Sequence, residues 1–125
     1  MNKPVVCKKP RKPVTFENIQ KLSLSDFVCE NEDFKTYKLK KIDDFTIVFV
    51  YSNTCGYCMS TKPEYEKFFK MFNCNTNFKI CRVNGPESQI EFPHFPIFML
   101  FKNKKLIKHS SGSSKLEDIV KFIDF

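Results

Sequence analysis

The sequence predicts one α/β domain, in which a central mixed β-sheet is flanked by helices on both faces. At 125 residues the chain is long enough for a single hydrophobic core and too short for two. Apolar runs of strand length alternate with segments of helical periodicity, which is typical of strands joined by helices. The last two predicted strands are separated by a two-residue turn, so they form an antiparallel hairpin that makes the sheet mixed.

The chain begins with a predicted flexible basic tail over residues 1–13, where three prolines and five basic residues occur without an apolar pattern. The domain itself is predicted to span residues 14–125. We expect one strand within residues 14–24, followed by a helix over residues 26–40 that Ser25 caps. The apolar residues of this helix, which we expect to be buried, are Phe27, Phe34, Tyr37 and Leu39.

The middle of the chain carries the strongest strand and helix signals. Residues 46–52 are rich in apolar β-branched and aromatic side chains, as expected of a buried strand. A helix is predicted over residues 55–73, and Pro63 should kink it because proline has no backbone N–H. Residues 78–83 alternate as a third strand. The buried face of the helix is predicted to contain Phe68, Phe69 and Phe72.

The last part of the chain is predicted to be a hairpin followed by a closing helix. Residues 96–101 form the fourth strand, residues 103–104 turn the chain, and residues 105–109 form the fifth strand. Gly112 ends that strand, and residues 115–125 are amphipathic. The apolar face of the closing helix contains Leu116, Ile119, Val120 and Ile123.

Cys55 and Cys58 form a C-x-x-C motif at the junction between the second predicted strand and the helix that follows it. A cysteine at the start of a helix lies beside unpaired backbone N–H groups and the positive end of the helix dipole, which favour a thiolate over a thiol. The second cysteine lies within one turn of the first, so the two sulfurs can close into a disulfide and open again. The motif therefore predicts a dithiol–disulfide redox centre.

Two other interpretations of this cysteine pair are weighed against the redox centre. A zinc site needs four ligands, and Cys74 and Cys81, seven residues apart, do not have a usual zinc spacing. The same is true of His94 and His109, which are fifteen residues apart. The pair could also be structural and without chemistry. We predict no metal ligands and favour the redox centre.

The cysteine content is interpreted through the compartment. The N-terminal residues contain no apolar stretch like that of a secretory signal, and no segment approaches the ~18–20 apolar residues of a membrane span. If the chain is complete, it is expected to stay in a reducing compartment, and we predict a cytoplasmic location. Six cysteines in that setting indicate free thiols and one catalytic pair. Cys81 is expected to be a core residue. Cys74 is expected to be inert, with a regulatory thiol as the alternative, while Cys7 and Cys29 show no interpretable pattern.

The net charge of +7 comes mainly from lysine, since Arg11 and Arg82 are the only arginines among 21 basic residues. Arginine recognises phosphate and guanine through paired hydrogen bonds, whereas lysine is a mobile point charge. Outside the tail and residues 102–108 the charge is dispersed. We therefore expect a solvated basic surface, no membrane partner and no specific nucleic-acid binding.

Three features, placed in order along the chain, resemble the thioredoxin family. Pro63 follows Cys58 by five residues, where thioredoxins have a helix-kinking proline. Residues 96–103, Pro-Ile-Phe-Met-Leu-Phe-Lys-Asn, are similar to the Pro-Thr-Leu-Leu-Leu-Phe-Lys-Asn run of that family. Gly112 and the last predicted helix match the family's glycine and closing helix. The resemblance covers residues from about 20 to 125 and implies a thioredoxin-like fold.

The resemblance implies a thiol–disulfide oxidoreductase, in which Cys55 attacks a substrate disulfide and Cys58 resolves the mixed disulfide. It also implies that the peptide bond before Pro96 is cis and presents the Phe95 backbone to an extended substrate. The expected partners are disulfide-containing proteins and an electron donor, either a reductase or glutathione, with no metal or organic cofactor. The predicted substrate-binding residues are Gly56, Tyr57, Phe95 and Pro96.

Departures from the thioredoxin pattern leave two alternatives open. Thr54 replaces the family's tryptophan, and Phe49 replaces a buried acid that helps to move the proton of the resolving cysteine. The loss of that acid favours a non-catalytic or weakly catalytic binding module. Residues 52–58 are similar to the glutaredoxin active site, which would imply a glutathione-dependent thioltransferase. However, glutaredoxins carry Thr-Val where this chain has His94 and Phe95.

Overall fold

The structure is a computed structural model that describes residues 3–9 and 15–124. Within these residues the chain forms one seven-stranded sheet, three α-helices and three short 3-10 turns. The strands are β1 (Gln20–Lys21), β2 (Phe27–Val28), β3 (Lys38–Leu39), β4 (Phe45–Tyr51), β5 (Phe78–Asn84), β6 (Ile97–Lys102) and β7 (Lys105–Ser111). The helices are α1 (Gly56–Phe72), α2 (Gly85–Ser88) and α3 (Leu116–Phe122).

The sheet has the strand order β1-β5-β4-β6-β7-β3-β2. Strand β5 runs parallel to both β1 and β4, whereas every other pair of neighbouring strands is antiparallel. The sheet is therefore mixed and carries packed helices, so the predicted α/β fold class is confirmed. No helix among the described residues is both long and apolar enough to cross a membrane.

Strand β4 lies inside the sheet between β5 and β6, and all seven of its residues are buried. Successive side chains of a strand point to opposite faces. Phe49 and Tyr51 accordingly join the core formed with α1 and α3, whereas Val48 and Val50 join a second core on the other face. This alternation places one aromatic face of β4 directly under the helix that carries the C-x-x-C motif.

Helices α1 and α3 cover the first face of the sheet. The phenylalanines predicted to lie inward on α1 are all buried, and the apolar face of α3 is buried through Ile119 and Ile123. Tyr65 on α1 is fully buried, and its hydroxyl donates a 2.7 Å hydrogen bond to the carbonyl of Cys81 on β5. This bond ties α1 to the sheet behind the C-x-x-C motif and satisfies a polar group that burial would otherwise penalise.

The second face corrects one prediction, because residues 26–40 do not form a helix. They form β2 and β3, with a 3-10 turn between the two strands. In the turn, Asn31 Oδ1 accepts hydrogen bonds from the Asp33 amide (2.9 Å) and the Thr36 hydroxyl (3.0 Å). Such side-chain bonds to the local backbone compete with helical bonds, and β3 gains a partner strand in β7.

Burial in this segment was nevertheless predicted correctly. Each of the four residues expected to lie inward is buried and belongs to the second core, namely Phe27, Phe34, Tyr37 and Leu39. The apolar pattern therefore identified which side chains face the sheet, even though it misidentified the backbone that carries them.

The remaining predicted elements are present with small shifts at their ends. Strand β1 lies within residues 14–24, and β4 to β7 lie where the other four strands were expected. The closing helix α3 is shorter than predicted, while the short helix α2 was not predicted at all. Asn84 caps α2 by accepting a 3.1 Å hydrogen bond from the Glu87 amide, and Pro86 lies in its first turn.

A disulfide joins Cys7 to Cys74, so the prediction that these two cysteines are free thiols is wrong. Residues 3–9 run beside the C-terminal end of α1, where the Cys7 amide donates a 2.6 Å hydrogen bond to the Met71 carbonyl. The Val5 amide also bonds Asn75 Oδ1 at 3.0 Å. The two cysteines are 67 residues apart, and no local spacing signals such a pair. Residues 10–14 lie outside the described residues, so the domain boundary after residue 13 stays a prediction.

Candidate active site

Cys55 is the N-cap of α1 and follows the short loop at the end of β4. The Cys58 amide donates a 3.2 Å hydrogen bond to Cys55 Sγ, so the sulfur occupies the place of the oxygen that usually caps a helix. The Cys55 amide is held in turn by the Ser52 carbonyl at 3.3 Å. These bonds fix the first sulfur at the positive end of the helix, where negative charge is stabilised.

Cys58 lies inside the first turn of α1 and is fully buried. The pKa of its thiol is raised to about 12, first by burial and then by a hydrogen bond with Cys55 and the charge of that residue. A backbone hydrogen bond from Ser52 and the charge of Lys62 act in the opposite direction but are outweighed. Cys55, in contrast, is partly exposed. The pair therefore consists of one accessible sulfur and one protected thiol.

Phe95 and Pro96 lie beside the exposed sulfur. The carbonyl of Phe95 accepts a 3.5 Å hydrogen bond from Cys55 Sγ, and the peptide bond between Phe95 and Pro96 is cis. Pro96 is buried, and its carbonyl accepts a 3.2 Å hydrogen bond from the Gly112 amide. The backbone just before the start of β6 is thus in contact with the first cysteine. The ring of the neighbouring residue His94 forms a 2.7 Å hydrogen bond with Ser111 Oγ.

Gly85 leaves the space that the ring of Phe95 occupies. A Cβ atom at position 85 would lie 2.2 Å from Phe95 Cε1, which is closer than two carbon atoms can approach. Gly85 is buried, and the Phe95 ring packs against residues of both cores. The absence of a side chain at Gly85 is therefore what makes room for Phe95 next to the cysteine pair.

The rim of the site is apolar and exposed. Tyr57, between the two cysteines, is 69% exposed, and Met59 is 53% exposed. Gly56 has no atom within 4 Å of the position that a Cβ would occupy, so this position is open to solvent. These side chains leave apolar surface available for contact beside Cys55.

Phe49 is fully buried in the aromatic core that includes Cys58. Its ring stacks on Phe98 at 5.0 Å and lies 5.0 Å from Tyr65. The position that a buried acid occupies in thioredoxins is therefore filled by packed rings in this chain. No carboxylate at this position can accept the proton of Cys58.

Lys62 is a residue of the site that sequence analysis missed. Its ammonium group donates a 3.1 Å hydrogen bond to Asn53 Oδ1 and lies 4.9 Å from the ring centroids of both Phe16 and Tyr51. Its charge lowers the pKa of Cys58, though less than burial raises it. The available signal was its position one helical turn after Cys58, which puts both residues on one side of the helix.

Among the described residues, no three His, Cys, Asp or Glu side chains lie together as a metal site would require. Of the residues predicted for the site, Cys55, Cys58, Phe95 and Pro96 come together around one sulfur. Gly56 and Tyr57 lie at the rim. Their roles in substrate binding stay predictions.

The family described as thioredoxin matches residues 26–125. Bloodstream-specific protein 2 of Trypanosoma brucei brucei is 33% identical over 88 residues, which are 68% of this chain but only 18% of that protein. This chain therefore spans less than a fifth of that relative's length.

Two solved structures are similar in fold. Mitochondrial thioredoxin 3 of Saccharomyces cerevisiae superposes with a TM-score of 0.62 at 21% identity, covering 88% of this chain and 98% of that one. Thioredoxin f2 of Chlamydomonas reinhardtii gives a TM-score of 0.62 at 22% identity, covering 86% and 94%. At these identities the likeness concerns the fold alone.

Proposed function

This chain belongs to the thioredoxin family, and on that premise we propose that it is an oxidoreductase that exchanges or reduces protein disulfides through Cys55 and Cys58. The observation that carries the proposal is the asymmetry of the pair. Cys55 is partly exposed and accepts the Cys58 amide at 3.2 Å, whereas Cys58 is fully buried with its pKa raised to about 12. The exposed Cys55 sulfur can therefore attack a substrate disulfide, and the buried Cys58 thiol stays protonated until it resolves the mixed disulfide.

The reaction proceeds in two exchanges. The Cys55 thiolate attacks one sulfur of the substrate disulfide, which forms a mixed disulfide and releases the other substrate sulfur as a thiolate that takes up a proton. Cys58 then loses its proton and attacks Cys55 Sγ, which closes the Cys55–Cys58 disulfide and releases the second substrate thiol. Two electrons pass to the substrate, and an electron donor must reduce the new disulfide before the next cycle.

The substrate is positioned by the groups around the first sulfur. An extended polypeptide can lie beside the Phe95 backbone as an added strand, which brings its disulfide toward Cys55. Pro96 keeps that backbone next to the sulfur, and Gly56 leaves space for the approaching chain. The exposed ring of Tyr57 offers apolar contact to the substrate and limits access to Cys55.

The proposed electron donor is either a thioredoxin reductase or glutathione. With glutathione as the donor, the protein would act as a glutathione-dependent thioltransferase. The cytoplasmic location stays a prediction. A disulfide such as Cys7–Cys74 is typical of oxidising compartments, so the sequence-based assignment to a reducing one needs a direct test. Cell fractionation combined with thiol trapping provides it.

The test uses single serine variants of the two cysteines. Cys58→Ser should accumulate stable mixed disulfides with substrate proteins, because without the resolving thiol the intermediate cannot collapse. Cys55→Ser should capture almost none. Wild-type protein should reduce insulin when either glutathione or thioredoxin reductase is supplied. Equal trapping by both variants would mean that the nucleophile has been misassigned.

A non-catalytic binding module is the second candidate, and the observation that favours it is Phe49. With rings in place of a carboxylate, the buried Cys58 thiol has no neighbouring base at that position. A binding module would retain partner proteins in pull-downs with Cys55→Ser as well as wild type, and would show no turnover of insulin with either donor.

A further inference from the structure

A groove leads away from the cysteine pair on the side of the second core. It consists of two adjoining cavities of about 320 and 500 Å³ that share Glu91 and Phe92. The outer cavity is bounded by residues 32–35 and 91–93, and the inner one ends at Gly85 and Phe95. The groove therefore begins at the residue whose carbonyl lies 3.5 Å from Cys55 Sγ.

Aromatic rings line the length of the groove. Phe92 is half-buried, and its ring centroid lies 6.4 Å from that of Phe95 and 6.5 Å from that of Phe34. These two steps correspond to about four residues of extended polypeptide at ~3.3 Å per residue. A chain that lies along the Phe95 backbone at the cysteines therefore needs about four further residues to reach Phe34 by way of Phe92.

Tyr37 holds the two walls of the groove together. Its hydroxyl donates a 2.7 Å hydrogen bond to the Glu91 carbonyl and also contacts the Glu32 carbonyl at 3.3 Å. The pKa of Tyr37 is raised to about 12, first by burial and then by the charges of Cys29, Glu91, Glu32 and Asp33. The tyrosine therefore stays neutral at physiological pH and keeps its hydrogen bond between the two walls.

The groove is acidic on a protein whose net charge is +7. Glu32, Asp33 and Glu91 are exposed, and within residues 3–9 and 15–124 none of them forms an ion pair with a lysine or arginine. Lys35 is the one basic residue that lines the outer cavity. The Asp33 carboxylate accepts a 3.0 Å hydrogen bond from the Lys35 amide, which leaves its negative charge uncompensated. Carboxylates without an ion-pair partner around an aromatic floor complement a chain that carries both apolar and cationic side chains.

We propose that this groove binds an extended segment of the substrate polypeptide that carries lysine or arginine about four residues from the disulfide cysteine. This inference rests on the proposed function and specifies its substrate class. One wall of the outer cavity is formed by residues 32–35, which lie in the segment 26–40 where two short strands and a 3-10 turn occur instead of the predicted helix. The preference for basic segments is thus a property of this chain's own loop structure.

Direct binding tests the groove separately from the chemistry. Two short peptides without cysteine, identical except that one has two lysines where the other has two glutamates, are titrated against wild-type protein by fluorescence anisotropy. The lysine peptide should bind about tenfold more tightly, since each exposed charge contact contributes a few-fold. The difference should shrink as salt is raised.

Matched variants locate the effect. The triple variant Glu32→Gln, Asp33→Asn, Glu91→Gln should abolish the preference for the lysine peptide. A control triple variant, Glu17→Gln, Asp44→Asn, Glu117→Gln, removes the same charge away from residues 32–35 and 85–95 and should retain it. Both triple variants should reduce a small synthetic disulfide at the wild-type rate, because none of these residues contacts the cysteines.

Disulfide-bonded versions of the same peptides complete the experiment. In wild type the lysine peptide should have a lower KM and an unchanged kcat. Equal affinity for the two peptides, or a preference that survives in the groove variant, would overturn the proposal even if turnover is normal. Loss of the preference in the control variant, or self-association that occupies the groove, would overturn it too. Normal lysine-peptide binding without any turnover would instead count against the oxidoreductase function.

Discussion

The two ends of α1 carry cysteines in opposite states. At the N-terminal end, Cys55 and Cys58 are thiols three residues apart, joined by a backbone hydrogen bond to sulfur. Just beyond the C-terminal end, Cys74 is bonded to Cys7, 67 residues away in the sequence. The first pair is held by one helical turn, and the second holds two distant segments together.

The difference shows how the position of a cysteine decides its use. A pair within one turn can form and lose its bond without moving the backbone, so it is suited to repeated exchange. A pair that closes a long loop restricts the unfolded chain, so its bond contributes to stability. The reactive pair packs on the aromatic core through Cys58. The other pair attaches residues 3–9 to the C-terminal end of α1, where the Cys7 amide bonds the Met71 carbonyl.

The largest expected effect is on turnover at the reactive end. Cys55→Ser should lower the rate of insulin reduction by about 10³-fold or more, because the nucleophile is removed. Cys74→Ser should leave that rate within a factor of about two, because its sulfur lies past the far end of a helix ~26 Å long. Steady-state assays with the same donor compare them. A similar loss in both variants would show that the two ends are functionally coupled.

The next effect concerns the aromatic floor of the reactive end. Phe49→Asp should lower the free energy of unfolding by about 5 kcal/mol or more, because a ring is lost and a carboxylate is buried. It should also speed resolution of the mixed disulfide at pH 7 by supplying a base. Its native pKa is raised by burial, so the variant should lose stability as pH rises above about 4.

Stopped-flow reduction of a disulfide substrate between pH 6 and 9 measures resolution, and urea unfolding measures stability. Phe49→Leu is the control, since it replaces the ring by a smaller apolar side chain without adding a base. In wild type, resolution should speed up with pH because the Cys58 pKa is raised. A fast wild-type rate that does not change over this pH range would mean that another group already serves as the base.

The third effect is the loss of stability when the Cys7–Cys74 disulfide is removed. The double variant Cys7→Ser, Cys74→Ser should lower the free energy of unfolding by about 4 kcal/mol, the value expected for a closed loop of this length. Cys29→Ser, which removes a free thiol, is the matched control. Urea unfolding without reductant gives the comparison, and added dithiothreitol should bring wild type to the level of the variant. An unchanged midpoint in the double variant would contradict a stabilising role.

The smallest effect is a loss of stability at alkaline pH. Burial raises the pKa of Cys81 to about 12, as it does for Cys58. A thiol whose pKa is raised on folding stabilises the protein below its unfolded pKa near 9, and that contribution is lost as pH rises. The expected loss is about 1 kcal/mol per thiol at pH 10. Cys81→Ala should reduce the slope of unfolding free energy against pH, and an unaltered slope would argue against the assignment.

The sequence was sufficient where a local pattern determines the structure. The apolar run at β4, the amphipathic face of α3 and the C-x-x-C motif each depend on neighbours along the chain, and each was found where predicted. The roles of Gly56, Tyr57, Phe95 and Pro96 in binding stay predictions. Their positions around Cys55 depend on how β6 lies beside the start of α1.

The failures share a different physical cause. Residues 26–40 have enough apolar residues for a helix, but Asn31 and Asp33 bond to the nearby backbone and β3 pairs with β7. The partner of Cys74 is set by the path of the N-terminal segment, which no spacing reveals. The groove around Phe92 likewise joins two segments that only the folded chain brings together.

The contact between Gly85 and Phe95 restricts the order in which this sequence can change by descent. Because a Cβ atom at position 85 would lie 2.2 Å from the Phe95 ring, any replacement of Gly85 displaces that ring while it is present. A lineage can lose the ring at 95 first and the glycine afterwards, but the reverse order passes through an intermediate with a disturbed site. Reconstructed ancestors of this chain should accordingly show no side chain gained at 85 on a branch where 95 is still aromatic.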